Sequence, residues 1–537
     1  MVYSAKSAGC SRWVWGVAIA TLVVSGCSRP DFGETNTERD AREGVAPEMA
    51  DLESEAPLDP AVSQPTDATD AIAHNVFRTV LDQPLSTFSI DVDTAAYTHT
   101  RRYLNTNQLP PQDAVRLEEF INYFTYDYPQ PEGDAPFSIT TELTTAPWNP
   151  EHELLLVGLQ GQQLATEELP PNNLVFLLDV SGSMSNPDKL PLLKGAMKLL
   201  VEQMTERDRI SIVVYAGAAG LVLEPTPGSE TEQILAAIDA LEAGGSTAGG
   251  AGIELAYRVA QESFLAGGNN RVILATDGDF NVGPSSDEEL VSLIEQKREA
   301  GVFLTVLGFG TGNYQDTKME KLANKGNGNY AYLDSLQEAK KALVTEMGGT
   351  LVAIAKDVKF QLEFNPALVK EYRLLGYENR VLQDEDFNDD RKDAGELGAG
   401  HSVTALYELI PANLASSRAT VDPLIYQPTQ AQPPVTNSTD LLTLKLRYKQ
   451  PNGNNSQLIQ QAVSREAIWQ DEPSMNLQFA SAVAEFGLLL RDSPYKANAN
   501  YHAVLTRATN AQGADLNGYR AEFVNLVEQA ERLSQEW

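Results

Sequence analysis

Between residues 173 and 347, short apolar runs alternate with stretches in which apolar residues recur every three or four positions. The runs cover 174–178, 210–215, 221–223, 272–275, 302–309 and 330–333. Helical periodicity occupies the gaps: up to Met204, after Glu230, after Gly250, from 287 to 299, near Met319 and on to Met347. Strands that are apolar at nearly every position are buried on both faces. The pattern therefore predicts a mostly parallel sheet with helices on each side, a doubly wound α/β domain.

On both flanks the period shortens to two. Residues 137–143 and 153–159 read as strands separated by a turn at Asn149-Pro150, and similar strands recur at 358–364, 372–377, 402–409 and 441–448. β-material on either side of the α/β block predicts a β-sandwich interrupted by an inserted domain. Ahead of it, a short strand at 87–92 precedes amphipathic helices at 94–104 and 113–124. Pro110-Pro111 punctuates these helices, and Asp113 is the expected N-cap. Tyr97, Tyr103, Phe120, Tyr123 and Phe124 have the spacing of packing residues. The last 65 residues read as helical, with 475–490 the strongest amphipathic run.

Charge narrows the function. Forty basic against 74 acidic residues give a formal charge of −34, which disfavours nucleic acid and anionic lipid as partners. Cys10 and Cys27 are the only cysteines, so the body of the chain has no disulfide framework or thiolate metal site. The five histidines, His74, His99, His152, His401 and His502, are scattered. His152-Glu153 lacks the second histidine of a zinc hydrolase helix.

The N-terminus reads as an address. Lys6 and Arg12 precede an apolar run at 13–24, too short to span a bilayer comfortably, which ends in Val24-Ser25-Gly26-Cys27. Those residues resemble a bacterial lipobox, which implies lipidation of Cys27 and removal of residues 1–27. An ordinary signal peptide or an anchor helix are the alternatives. Ser28 is not the aspartate that retains enteric lipoproteins at the inner membrane, so the resemblance implies the outer membrane, facing the periplasm. Residues 31–70 hold twelve acidic and two basic residues with few large apolar ones, and predict a disordered tether.

The candidate chemistry lies in the central block. Its first strand ends in Asp179-Val-Ser181-Gly-Ser183, where Gly182 permits a sharp turn and three oxygen-bearing side chains sit at alternate positions. Gly244-Gly-Ser-Thr247-Ala-Gly-Gly250 is a loop opening a helix, and the strand from Arg271 ends in Thr276-Asp277-Gly278. All three elements fall at the carboxyl edge of the predicted sheet, where open α/β sheets bind ligands. The glycine-rich loop lacks the Gly-Lys-Ser/Thr ending of a phosphate loop, and no G-x-S-x-G elbow accompanies the serines. No acid–base or nucleophile set appears, so an enzyme is not expected. Asp279 and Asn281 are expected at the rim of the site, not as ligands. The acidic stretch 384–396 lacks the sixth-position glycine of a calcium loop.

Asp179-x-Ser181-x-Ser183, then Thr247, then Asp277 resembles the metal-ion-dependent adhesion site of the von Willebrand factor A family. The resemblance implies that Ser181, Ser183 and Thr247 coordinate a divalent ion through hydroxyls, with Asp179 and Asp277 acting directly or through water. Hydroxyl and water oxygens suit Mg²⁺, with Mn²⁺ or Ca²⁺ as alternatives. Few direct anions leave the ion electrophilic, ready to accept an exposed Asp or Glu carboxylate from a protein ligand.

The likeness extends over residues 85–537 through 87–97 (TFSIDVDTAAY), 118–124 (EEFINYF), 276–283 (TDGDFNVG) and 400–408 (GHSVTALYE). These resemble bacterial lipoproteins with an N-terminal von Willebrand-associated region, an A domain and a C-terminal domain of unknown function. The expected plan is a signal peptide (1–27), tether (28–84), N-terminal helical region (85–133), first sandwich part (134–172), A domain (173–347), second sandwich part (348–470) and C-terminal helical region (471–537). The leading functional expectation is a membrane-anchored binding or adhesion protein, held to the membrane by its lipid alone. A metal-independent scaffold in envelope assembly is the alternative.

Overall fold

The computed structural model describes residues 74–165, 169–245, 249–278, 287–310, 316–346, 352–392, 394–414, 438–451, 453 and 455–535. Cys27 with the rest of 1–73, Thr247, Asp279, Asn281 and Met347 lie outside the described residues. All described residues belong to one compact unit, Gln64–Trp537.

The central block forms a six-stranded sheet. Its order is Tyr330–Leu333, Val302–Phe309, Asn269–Thr276, Asn172–Asp179, Arg209–Ala216 and Ala218–Pro227. The first five strands are parallel, and the last is an antiparallel edge joined by a hairpin at Gly217. Residues of Asn172–Asp179 alternate between two cores. Val175 and Leu177 meet the helices Gly249–Glu262, Asp287–Glu299 and Asp316–Lys325, while Leu174, Phe176 and Leu178 meet Leu190–Val201, Thr231–Asp239 and Leu336–Lys340. Burial on both faces is the physical reason for the unbroken apolar runs. From Asn172–Asp179 the chain moves to one side of the sheet, then returns to place Asn269–Thr276 on the other. The ends of these two strands thus form the switch point where such sheets hold ligands.

The strand before this block, Glu153–Gly161, and the strand after it, Ala353–Phe364, belong to two antiparallel sheets. One contains Phe137–Thr145, Glu153–Gly161, Ser402–Pro411, Val369–Leu375 and Arg78–Thr79. The other contains Ser456–Ser464, Asp440–Lys449, Ala353–Phe364, Gly395–Gly398 and Leu85–Ser89. Phe88, Leu155, Val157, Phe360, Leu362, Tyr407 and Leu444 share one core between them, so the α/β block is inserted in a sandwich. The outer face of the first sheet is covered as well. Leu154, Leu156 and Leu406 pack against Phe120, Trp148, Phe479, Phe486 and Phe523. These aromatics belong largely to a helical layer built from Ala95–Asn105, Leu117–Asn122, Met475–Leu490, Tyr501–Asn510 and Tyr519–Gln535.

Several expected boundaries move. Residues 74–84, expected to lie in the tether, are part of the fold. Phe77 and Val80 are buried, and Arg78–Thr79 pairs with the strand at Tyr372. Asp113 lies in a single tight turn, Gln112–Ala114, and the helix begins later, behind Arg116. The strand Ser456–Ser464 was not anticipated: it is a sheet edge whose mostly exposed glutamines blur the alternation. No helix among the described residues is long and apolar enough to cross a membrane.

Candidate metal centre

The site begins where the central strand stops. Asp179 is fully buried at the end of Asn172–Asp179, and its Oδ1 accepts the Ser181 amide at 2.8 Å. That bond turns the chain sharply outward, so that Ser181 is buried while Gly182 and Ser183 are exposed. The Ser181 and Ser183 hydroxyls lie 3.0 Å apart. Met184 anchors the turn from below, fully buried, with its amide donating to the Ser181 carbonyl at 3.1 Å.

The glycine-rich loop is stitched to this turn by its backbone. Gly244 donates to the Val180 carbonyl at 2.7 Å, and the Gly182 amide donates to the Gly245 carbonyl at 3.2 Å. Gly245 has φ +96°, a conformation that side chains rarely adopt. Asp277 follows the neighbouring strand Asn269–Thr276 and is also buried. Lys189 donates to its Oδ2 at 2.9 Å. Asp179, Ser181, Ser183 and Asp277 are therefore gathered at one edge of the sheet.

Electrostatics define what this arrangement needs. Asp277 Oδ1 is buried with no hydrogen-bond partner among the described residues. Asp179 is buried too, and its carboxyl interacts with the Tyr215 and Ser181 side chains. Burial holds the Asp179 carboxyl above its usual value, and the nearby Asp277 charge adds to that. The Ser181 hydrogen bonds pull the other way. Tyr215 is raised too, by burial first and then by Asp179. Buried carboxylate oxygens are ordinarily satisfied, so the unpartnered Asp277 oxygen, at a sheet edge that also carries Asp179 and a hydroxyl pair, suits a hard cation. The residues fit a divalent ion.

Lys189 and Tyr215 were missed from sequence. The only signal for Lys189 was a cation placed directly before the apolar Leu190-Pro-Leu-Leu193. The other candidates are otherwise engaged. His152 Nδ1 lies 2.5 Å from Glu408 Oε1, and Arg373 holds the second Glu408 oxygen at 2.5 Å. In the acidic stretch 384–396, Asp389 pairs with Arg391 at 2.9 Å, Asp386 with Lys392 at 3.5 Å and Asp390 with Arg447 at 3.6 Å.

Comparison with known proteins agrees with this organisation. Residues 173–345 match the von Willebrand factor type A domain family, residues 63–156 match a von Willebrand factor family, and residues 349–533 match the C-terminal domain of the uncharacterized protein YfbK. The chain is 45% identical over 467 residues to the uncharacterized protein YfbK of Escherichia coli (strain K12), covering 86% of this chain and 80% of that protein. It is 30% identical over 172 residues to the uncharacterized protein sll0103 of Synechocystis sp., covering 32% of this chain and 39% of that protein. Among solved structures, proximal thread matrix protein 1 from the mussel byssus, with a zinc-occupied MIDAS motif, is 28% identical. That likeness covers 33% of this chain and 44% of that one, with a TM-score of 0.28.

Proposed function

Because the chain belongs to the YfbK family of bacterial proteins with a von Willebrand factor A domain, we propose that it is a cell-envelope binding protein that captures a protein carboxylate through a divalent cation. The observation that carries this reading is the buried Asp277 Oδ1, without a hydrogen-bond partner among the described residues, at the same sheet edge as buried Asp179 and the paired Ser181 and Ser183 hydroxyls. Ser181, Ser183 and Thr247 would hold the ion through hydroxyls, with Asp179 and Asp277 supplying charge from behind. A bound Mg²⁺ or Mn²⁺ supplies a coordination position for an Asp or Glu side chain of the partner.

The residues themselves do the positioning. The Ser181 amide fixes Asp179 Oδ1 at the end of the central strand. The backbone bonds between 180–182 and 244–245 hold the two loops together. Gly182 and Ser183 are exposed, which supports access for a macromolecular partner. Cys27 would tether the body to the outer membrane by its acyl chains, on the periplasmic side. The chain would act by binding and not by catalysis.

The test is crosslinking in intact cells followed by mass spectrometry, comparing wild type, Asp179→Ala and chelator-treated samples. The expected result is a partner lost under both perturbations while the variant stays folded. A partner set unchanged by both rules out metal-mediated capture, and crosslinks that persist and map to 350–470 favour a metal-independent scaffold.

A further inference from the structure

Lys189 is an unusual neighbour for a cation site. It stands immediately before the helix Leu190–Val201, is buried, and donates to Asp277 Oδ2 at 2.9 Å. Its path is built by a second feature. Gly310, just after the strand Val302–Phe309, has φ +74°, and a Cβ there would lie 2.0 Å from Lys189 Cε. Tyr332 donates to the Gly310 carbonyl at 2.6 Å and fixes that wall. The Lys189 backbone is held as well, its amide donating to Asn186 at 3.0 Å and its carbonyl accepting from Leu193 at 2.9 Å. The ammonium thus reaches Asp277 through a glycine-walled slot and covers one carboxylate oxygen, while Oδ1 stays buried without a hydrogen-bond partner among the described residues.

We propose that Lys189 is a resident counter-cation of the metal centre: it stays on Asp277 Oδ2, weakens Asp277 as an anion toward the ion, and so keeps the loaded site positive enough to take a carboxylate. This rests on the metal-capture reading above. Asp179, Asp277 and Lys189 together carry one net negative charge. A divalent ion turns that into one net positive charge, whereas without Lys189 the loaded site would be neutral. The lysine therefore trades ion affinity for anion affinity. A unit charge about 5 Å from a divalent ion alters its affinity about tenfold even at the dielectric of water.

The experiment measures both affinities on the full chain. Mn²⁺ is titrated calorimetrically, then acetate is titrated against the Mn²⁺-loaded protein by water-proton relaxation. Lys189→Met is expected to bind Mn²⁺ at least about tenfold tighter and acetate several-fold weaker. Opposite shifts are the signature, because a merely structural loss lowers both. Should Lys189→Met fold only in the presence of Mn²⁺, the double variant Lys189→Met/Asp277→Asn removes both partners and is expected to bind Mn²⁺ no tighter than wild type. Unchanged affinities in Lys189→Met, a fall in both, or a double variant as tight as the single would overturn the role of Lys189. Those results leave capture itself standing if Asp179→Ala abolishes Mn²⁺ binding. A wild-type chain that takes up no Mn²⁺ overturns both.

Discussion

Asp179→Asn separates a carboxylate kept for an ion from one kept for the fold. Asparagine preserves the shape and an acceptor for the Ser181 amide, now at 2.8 Å, while removing the charge. Burial holds the Asp179 carboxyl above its ordinary 3.8, so the folded state binds its proton more tightly than the unfolded state does. Stability from this group is then full at low pH and is lost as pH rises through the folded value. At neutral pH without metal, the ionised carboxylate opposes folding, and Asp179→Asn is expected to be at least as stable as wild type. Metal reverses the order. At one hundred times its dissociation constant, an ion bound only to the folded state adds about 2.7 kcal/mol. For the compact unit Gln64–Trp537 the unfolding entropy is roughly 1 kcal/mol per kelvin, so the wild-type midpoint rises by roughly 3 °C. Differential scanning fluorimetry with Mg²⁺ and with EDTA reads both effects. The reasoning is refuted if Asp179→Asn retains the Mg²⁺ shift, or if it melts well below wild type in EDTA.

Other parts of the structure make separate predictions. Arg101 is buried against Asp334, Glu338, Glu522 and the Tyr123 hydroxyl, joining the helical layer to the last helix of the A domain. Arg101→Met should cost about 3–5 kcal/mol in urea unfolding by leaving buried carboxylates unpaired. Glu118 is pushed up to about 7, first by burial and then by Glu378. Its contribution is present below about 4.5 and lost as pH rises toward 7, so Glu118→Gln should remove up to about 3 kcal/mol of that decline, measured by denaturation at pH 4.5 and 7.5. Gly158 lies under the Tyr128 ring, 2.5 Å from where a Cβ would sit, and Gly158→Ala should lose about 1–3 kcal/mol in the same assay. Cys27→Ser should abolish labelling by a clickable palmitate analogue and release the chain from the membrane fraction.

The α/β block was legible because strands buried on both faces must be apolar throughout, and Asn172–Asp179 and Asn269–Thr276 obey that rule. The ends of those strands locate Asp179 and Asp277, and the serine turn follows from the Gly182 spacing. Tertiary pairing was not legible. Residues 95–122 and 475–535 read as separate helical segments, yet they form one layer, because amphipathic spacing specifies a face and not its partner. The run Leu154–Leu155–Leu156 departs from strict alternation because that strand separates the sandwich core from this helical layer. Lys189 was hidden for a related reason. It meets Asp277 88 residues away in sequence, and its slot depends on Gly310, whose value is the absence of a side chain.

The central claim is that one divalent ion sits on the hydroxyl turn at the end of the central strand. Crystals of the chain soaked in Mn²⁺ test it most directly through the anomalous difference map. The account predicts one strong peak bonded to the Ser181 and Ser183 hydroxyls, absent in Asp179→Ala. A peak elsewhere with none at this turn, or one that persists in the variant, would contradict it.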